Sequence, residues 1–431
     1  MAARLILSLS LLLTAPGVLA QACAGDVTLT SQAEIDAFAC AEVEGTLTIE
    51  DGTTPLQSLA GLRGLERIGG ALSIKDTEAL TSLDGLDNLT EIGRFAAIVR
   101  NEALANIEGL GALLRVGRSL TIQDNSALLS LRGLDALASI GVSLAVRNND
   151  RLTNFDGLGG LEAIGGGLFI EDNDRLATLD GFAAPSSIGS SVLIAGNPAL
   201  TNLDGLRGLA AVGRTLVISD NDALVSLAGL GDLATVAFTL TIAGNASLGS
   251  LDGLERLVSV VRNIDLRANA VLAEVDALQA VASIGNDLLV TANPLLDGCA
   301  RGLGPILSGE GLLGTTDIRD NATGCNSVDE ILARYTGNEG SAPDRRTRFT
   351  AAYPSPASGS VTLAYTVARP TMAALDVFDA LGRHVASLAQ GPHRAGLHEH
   401  VWSGRALPAG VYVVHLRTDG AVRTTRVVLV R

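Results

Sequence analysis

Histidine, lysine and free cysteine are the side chains that most often serve as bases, nucleophiles and soft metal ligands, and most of this chain lacks them. All five histidines lie between His384 and His415, and Lys75 is the only lysine. Nucleophile–base dyads and the common zinc sites need such groups. The long stretch before His384 is therefore expected to hold no catalytic centre, and we predict that the protein is not an enzyme.

Most of that stretch is a repeat with a period of 24 residues. Nine consecutive blocks run from Gly70 to Gly285 with no insertion, and a tenth, one residue longer, runs from Gly45 to Gly69. A fixed period of this size is typical of a solenoid, in which each unit buries its apolar face by stacking on its neighbours. Any function of this part should therefore lie on a surface.

The pattern inside one block predicts the local structure. Positions 3 and 5 are apolar and alternate with polar or small residues at positions 2, 4 and 6. This period predicts a strand with one buried face, and successive copies predict a parallel sheet. Positions 11, 14, 17, 20 and 23 are apolar, a spacing that suits short turns or 3₁₀ segments. Glycines at positions 16 and 24 are expected at corners with positive φ.

Position 4 is predicted to face outward from the sheet, and three consecutive copies of it are apolar. Phe169, Leu193 and Val217 should therefore lie side by side, whereas the rest of that column is mostly small or polar. Contiguous exposed apolar side chains often mark an interaction site. We take these three residues as the candidate partner patch, and the alternative is a mildly apolar surface with no partner.

Position 8, directly after the strand, is asparagine in eight of the nine exact blocks. A buried asparagine can bond backbone groups of its own turn and of the neighbouring rung. Stacked copies therefore predict a structural ladder, and a polar binding groove is the alternative. The predicted ladder consists of Asn101, Asn125, Asn149, Asn173, Asn197, Asn221, Asn245 and Asn269.

Position 15 is acidic in seven of the nine exact blocks. An acidic residue there can cap a short helical turn, and a column of like charges could also associate weakly with Ca²⁺. No other cofactor is predicted. The column consists of Asp84, Glu108, Asp156, Asp180, Asp204, Asp252 and Asp276.

The N-terminus has the pattern of a cleaved secretory signal at residues 1–20. Arg4 supplies the positive charge, Leu5 to Leu13 the short apolar stretch, and Val18-Leu19-Ala20 the cleavage site. The apolar stretch is too short to span a bilayer. No later segment has 18 consecutive apolar residues, so no membrane-spanning helix is expected after signal removal.

The four cysteines predict two disulfides in an oxidising compartment. Ten stacked rungs, each about 4.8 Å from the next, hold the ends of the solenoid roughly 48 Å apart. Because a disulfide needs Cα atoms within about 7 Å, the pairs should be Cys23–Cys40 and Cys299–Cys325. Each pair should close one end of the solenoid.

The chain is predicted to have capped ends and a separate tail. Ser31-Gln32-Ala33-Glu34 should open a helix through Phe38, and Ser327 to Glu330 should open another to Tyr335. The predicted domains are a signal peptide 1–20, an N-terminal cap 21–44, repeats 45–298, a C-terminal cap 299–335, a linker 336–348 and a tail 349–431.

Charge is distributed unevenly between these domains. Residues 345–431 carry eleven arginines against four acidic residues, a charge of +7, which leaves −22 for the remainder of a chain whose net charge is −15. A repeat region this acidic should not bind nucleic acid by neutralising phosphates.

The repeat, L-x-x-L-x-G-L-x-x-L-x-x-I-G-x-x-L-x-I-x-D-N, resembles the receptor L domain, a relative of leucine-rich repeats. The segment from Cys23 to Cys40, followed by Gly45 to Ile49, matches the start of that domain, and the resemblance covers residues 23–335. It implies a mainly β fold, a right-handed, leucine-rich-repeat-like solenoid with 24-residue rungs and one strand per rung. The family that it resembles mostly binds proteins or has no known ligand. The resemblance identifies no binding residue in this chain.

The tail has short predicted strands of a small β-sandwich: Val361–Tyr365, Ala374–Phe378, Gly410–Val414 and Arg426–Val430. Tyr353-Pro354-Ser355-Pro356, Val377 to Arg383, Leu407 to Tyr412 and the terminal Val-Val-Leu-Val-Arg resemble the C-terminal sorting domain of the bacterial type IX secretion system. The resemblance implies contact with that machinery and export across the outer membrane, often with removal of the domain.

Three functions compete on this basis. The preferred one is a binding or adhesion protein, secreted or attached to the outer-membrane surface, whose partner is an unknown extracellular protein or glycan. The alternative is a passive surface-layer or stalk component. A Ca²⁺-dependent polysaccharide lyase is a remote alternative, because the repeats show no long loops. A metal site at His398-Glu399-His400 competes with an ordinary strand before Trp402.

Overall fold

The computed structural model describes residues 22–309, 311–336, 348–353, 357, 359–367, 371–380, 382–394, 396–405, 407–418 and 421–430. The chain divides into two compact units with the boundary between Tyr335 and Thr336. The predicted signal peptide and residues 337–347 of the predicted linker lie outside the described residues.

Each rung contributes one strand to a parallel sheet of 13 strands, called the main sheet here. Neighbouring strands pair in register at the repeat period, as Leu120 does with Leu144, and their inward side chains are fully buried. The strands are Val27–Leu29, Leu47–Ile49, Leu72–Thr77, Ala96–Asn101, Leu120–Gln123, Leu144–Arg147, Leu168–Glu171, Val192–Ala195, Leu216–Ser219, Leu240–Ala243, Ile264–Arg267, Leu288–Thr291 and Thr316–Arg319.

The expected single strand per rung is wrong, because each rung also carries a second strand at positions 22 and 23. Its apolar residue is buried and its other residue faces solvent, an alternation too short for periodicity to reveal. One sheet contains Ala22–Cys23, Glu42–Val43, Arg67–Ile68, Glu91–Ile92, Arg115–Val116, Ser139–Ile140 and Ala163–Ile164. The other contains Ser187–Ile188, Ala211–Val212, Thr235–Val236, Ser259–Val260 and Ser283–Ile284.

These second strands split into two sheets between Ala163–Ile164 and Ser187–Ile188. Pro185 lies two residues before Ser187 in the same rung, at position 20, where the other exact repeats have leucine or valine. Proline fixes its own φ and has no N–H to donate, which accounts for the break in pairing at this rung. The main sheet continues past the break, since Leu168 still pairs with Val192.

The interior of the solenoid is one continuous apolar core built from the positions that recur every third residue. Short 3₁₀ helices occur in five rungs: Ala60–Leu62, Glu108–Leu110, Asp204–Leu206, Ala228–Leu230 and Asp276–Ala280. The expectation of positive φ at position 16 is met by five glycines and wrong for Gly109, Gly205 and Gly229, which lie in 3₁₀ helices. The five are Gly85, Gly133, Gly157, Gly181 and Gly253.

The glycines at position 24 do not have positive φ, so that expectation is wrong. A side chain on Gly117 or Gly141 would collide with the carbonyl oxygen of the glycine one rung earlier. Glycine is needed there because the backbones of successive rungs approach closely, and not because the corner is left-handed.

Both ends of the solenoid are closed by a helix and a disulfide. At the N-terminus, the helix Gln32–Asp36 begins with the predicted capping box between Ser31 and Glu34, and it ends two residues before Phe38. At the other end lie the helices Ala300–Ser308, which the sequence did not predict, and Val328–Thr336. The predicted disulfides Cys23–Cys40 and Cys299–Cys325 are confirmed, with Cα separations of 5.7 and 5.9 Å.

The tail consists of two antiparallel sheets that share one apolar core. One sheet contains Arg348–Tyr353, Ser360–Val367 and Gly396–Ser403, and the other contains His384–His393, Thr371–Asp379, Gly410–Thr418 and Ala421–Leu429. Two of these strands were not predicted: Arg348–Tyr353 and His384–His393. Residues 354–356 of the Tyr-Pro-Ser-Pro motif lie outside the described residues.

Candidate binding surface

The candidate partner patch lies on the outward face of the main sheet. Phe169 pairs in register with Leu193, and Leu193 pairs with Val217, so the three side chains form one row across neighbouring strands. Their inward neighbours are fully buried, whereas the patch residues themselves are half-buried. The row is therefore a continuous apolar surface of limited exposure, and its three side chains are not fully exposed.

Charged residues flank the patch at its Phe169 end. The guanidinium of Arg147 lies 5.3 Å from the centre of the Phe169 ring, within the range of a cation–π contact. Arg147 also pairs with Glu171 on the next strand. An apolar centre with a charged rim is the common anatomy of a protein interface.

The same row contains a carboxylate, that of Asp265, two strands beyond Val217. Asp265 pairs in register with Thr241. Burial raises the pKa of Asp265 above its usual value, and the charge of Arg267 offsets only part of this increase. Its Oδ2 lies 3.5 Å from Arg267, and its Oδ1 is buried with no hydrogen-bond partner among the described residues. Sequence patterns missed this group, because position 4 elsewhere carries no acid before Asp317.

The asparagine ladder lies inside the solenoid, and each of its eight predicted members is fully buried. The Nδ2 of Asn173 donates to the carbonyl oxygens of Val146 and Glu171 and to Oδ1 of Asn197. The Asn173 backbone N–H donates to the same Oδ1. A buried side chain with all these partners is structural, so the alternative of an open polar groove is wrong.

The ladder is longer than its predicted eight members. At its N-terminal end the hydroxyl of Thr77 donates to Asn101, and at the other end Asn269 bonds Asn293, which bonds Asn321. Asn293 and Asn321 fall beyond the nine exact blocks, and the last step spans a rung of 28 residues between paired strands. Extending the repeat with an insertion would have found both.

Position 7 forms a second column that sequence patterns missed. It has positive φ at Asp76, Asp124, Asp172 and Asp220, and also at the residues between them. Asp76 accepts hydrogen bonds from Arg100 on the next rung, and Arg100 thereby holds the pKa of Asp76 below its usual value. The signal was the Asp, Asn and Gly content of this position, since these residues tolerate the left-handed region.

The acidic column at position 15 does not cap the turns with its side chains, so that prediction is wrong. The capping oxygen comes from position 13, as Asn202 accepts from the backbone N–H of Asp204 and Ser82 from that of Asp84. Such short Asx and Ser turns bond the backbone two residues ahead. Within the described residues, no three His, Cys, Asp or Glu side chains are placed to hold a metal ion.

Residues 351–430 match the family model of the secretion system C-terminal sorting domain. This match confirms the predicted sorting domain. It implies that the protein is exported by type IX secretion and is secreted or held at the cell surface. No curated protein matches the chain.

The described residues contain no helix with the length and hydropathy that a membrane span requires.

The sorting domain buries the carboxyl group of Asp376. Burial opposes ionisation of Asp376, but hydrogen bonds from Ser387, Arg417 and His384 outweigh burial and lower the pKa of Asp376. This group is a structural network within one sheet.

The sorting domain also brings three histidines around one tyrosine. The ring of Tyr365 stacks on His398 and His400, with centroids 5.5 and 6.1 Å apart, and its hydroxyl lies 2.9 Å from Nε2 of His393. Burial raises the pKa of Tyr365 to about 12. Burial and the neighbouring charges of His393 and His398 lower the pKa of His400. His398 and His400 lie in the strand Gly396–Ser403, as the ordinary-strand interpretation expected.

Proposed function

We propose that the protein is an exported binding or adhesion module whose solenoid presents the patch Phe169, Leu193 and Val217 to an extracellular protein partner. The observation that carries this is the in-register apolar row on the open face of the main sheet. The sorting domain directs the protein to the secretion system and so to the cell surface or beyond. The proposal includes no catalysis by the solenoid, because the buried asparagines bond one another and the backbone, and the repeats lack histidine.

The repeat and both cap disulfides support a relationship to the receptor L domain, and a right-handed coil is expected with it. Solenoids of this kind bind partners on extended regular surfaces. A short apolar row with Arg147 and Glu171 at its rim suits a small protein interface better than a deep ligand pocket. The partner is either another protein or a second copy of this chain.

The test is the double variant Phe169→Asp with Leu193→Ser, compared with the matched variant Leu129→Asp with Val225→Ser. Leu129 and Val225 are exposed apolar residues at position 12, away from the main sheet. We expect the patch variant to abolish adhesion or self-association while its thermal transition stays close to that of the wild type. Unchanged adhesion by the patch variant, or equal loss in both variants, would refute the patch.

A further inference from the structure

A row of exposed arginines runs along the side of the main sheet at which its strands begin. Arg94, Arg118, Arg214 and Arg262 each occupy position 1 of their repeats, two residues before a main-sheet strand begins. Because the strands are parallel and in register, position 1 falls on the same edge in every rung. The four side chains therefore lie along a single line parallel to the solenoid axis.

Phenylalanine rings hold three of these arginines in place. Phe238 also occupies position 1, and its ring lies between the guanidinium of Arg214, 5.8 Å away, and that of Arg262, 4.7 Å away. Arg118 lies 5.4 Å from the ring centre of Phe95, which is 44% exposed. Stacking on a ring orients a guanidinium and leaves its N–H donors free to bind an anion.

These arginines form no ion pair within the part of the chain that the structure describes. The carboxylate nearest to the row in its effect is that of Asp287 on the next rung, whose pKa Arg262 helps to lower without an ion pair. Other arginines of the solenoid are paired, as Arg67 is with Glu42 and Arg256 with Asp232. Residues 1–344 carry a net charge of −22. A row of arginines that form no ion pairs is unexpected in so acidic a region, and it suggests that they bind an external anion.

The residues beside the arginines are mostly small and polar. Position 2 carries Ser119, Ser143, Ser191, Thr215 and Thr239, whose small hydroxyl side chains are half-buried. The strands are spaced at about 4.8 Å, so Arg118 and Arg214, four rungs apart, are roughly 19 Å from each other. A strip this long with cations at both ends suits an extended polymer.

We propose that this edge, the Arg–Phe ridge formed by Arg94, Phe95, Arg118, Arg214, Phe238 and Arg262, binds a linear anionic polysaccharide. The carboxylate or sulfate groups of the polymer accept forked hydrogen bonds from the stacked guanidinium groups. The hydroxyls of position 2 bond the sugar hydroxyls between them. This site is separate from the apolar patch, so it goes beyond the proposed function.

The surface favours a polysaccharide over the other anionic polymers. A peptide is usually read by side-chain pockets or by addition to a free strand edge, whereas these strands are already paired on both sides and position 2 offers no pocket. Nucleic acid binding depends on neutralising many closely spaced phosphates. The ridge has four arginines on a chain whose net charge is −15.

The test measures binding of the whole mature chain to polygalacturonate, to dextran sulfate, to neutral dextran and to duplex DNA. The ridge variant Arg214→Gln with Arg262→Gln is compared with Arg151→Gln with Arg175→Gln, which changes the charge equally. Arg151 and Arg175 are exposed on adjacent rungs at position 10. We expect the ridge variant to bind one or both anionic polysaccharides at least tenfold more weakly, and the matched variant to bind within twofold of the wild type.

Each other outcome would overturn the proposal. Wild-type protein that binds neither anionic polysaccharide, or that binds dextran just as well, excludes an anion site on the ridge. Equal losses in both arginine variants would show that net charge governs binding. DNA binding as tight as polysaccharide binding would exclude the proposed partner class. Phe169→Asp with Leu193→Ser should keep polysaccharide binding, which separates failure of the ridge from failure of the patch.

Discussion

The solenoid and the sorting domain are both β structures, but they satisfy their buried polar groups in different ways. The solenoid buries one amide per rung, and each bonds the next. The sorting domain buries two side chains that titrate, Tyr365 and Asp376. Tyr365 contacts half-buried histidines, and Asp376 contacts Arg417 and His384, which are exposed. Amides keep the same hydrogen bonds across the physiological pH range, whereas histidine does not. The two units should therefore respond differently to mutation and to pH.

Replacing Asn173 with leucine should have the largest effect on stability. The substitution removes both the acceptor for Asn149 and the donors to Val146 and Glu171. Several buried backbone and amide groups then lose their partners, and we expect the free energy of unfolding to fall by about 3 kcal/mol. Asn88→Leu is the control, because Asn88 is exposed and outside the ladder. Urea denaturation with equal midpoints for both variants would contradict a stabilising ladder.

A side chain on the tight corner glycines should have the next largest effect. In Gly117→Ala the new Cβ collides with the carbonyl oxygen of Gly93, so two rungs must separate. Overpacking of this kind costs about 2 kcal/mol. Gly64→Ala is the control, since a Cβ there has no atom within 4 Å and φ is not positive. A Gly117→Ala protein as stable as Gly64→Ala would show that the rungs are farther apart than described.

The repeat and the buried asparagines could be predicted because they recur at a fixed spacing in the sequence. The cap disulfides followed from the distance between the ends of the solenoid, and the sorting domain followed from its resemblance to known motifs. The sequence did not reveal the second strands, which have two residues each, or the role of Gly117, which depends on the distance between backbones. The stack of Arg214, Phe238 and Arg262 was also missed. These three residues are 24 positions apart in the sequence. Their contact can be recognised only when the strand register and the directions of the side chains are known.

The pH dependence should distinguish the two units. The pKa of His400 is lowered in the folded state by burial and by its histidine neighbours. The unfolded chain therefore binds more protons than the folded one as pH falls below about 6.5, and folding stability is lost in that direction. Hydrogen-exchange protection, corrected for the intrinsic rate, should fall in the strands Ser360–Val367 and Gly396–Ser403 between pH 7 and pH 5.

The main sheet of the solenoid should keep its protection over the same range. His400→Gln should flatten the response of the sorting domain, and His415→Gln should preserve it, because His415 contacts Phe378 away from the cluster. A loss of protection that is equal in the solenoid and the sorting domain would exclude the histidine cluster as its cause.

The smallest effect is expected from the exposed ion pairs of the solenoid. Arg67 bridges Glu42 and Glu91, but its side chain is 51% exposed. Exposed pairs of this kind contribute little, so Arg67→Gln should change the free energy of unfolding by less than about 0.5 kcal/mol. A loss as large as that in Asn173→Leu would mean that surface charge, and not the buried ladder, holds the rungs together.

The central claim is a division of labour, in which the sorting domain delivers the protein and the open face of the solenoid binds. The most direct measurement is adhesion per molecule of surface protein in cells that express the wild type, Phe169→Asp with Leu193→Ser, or a chain truncated after Tyr335. We expect the patch variant to reach the surface in normal amounts without adhering, and the truncated chain not to reach it. Normal adhesion by the patch variant, or normal surface delivery of the truncated chain, would contradict the account.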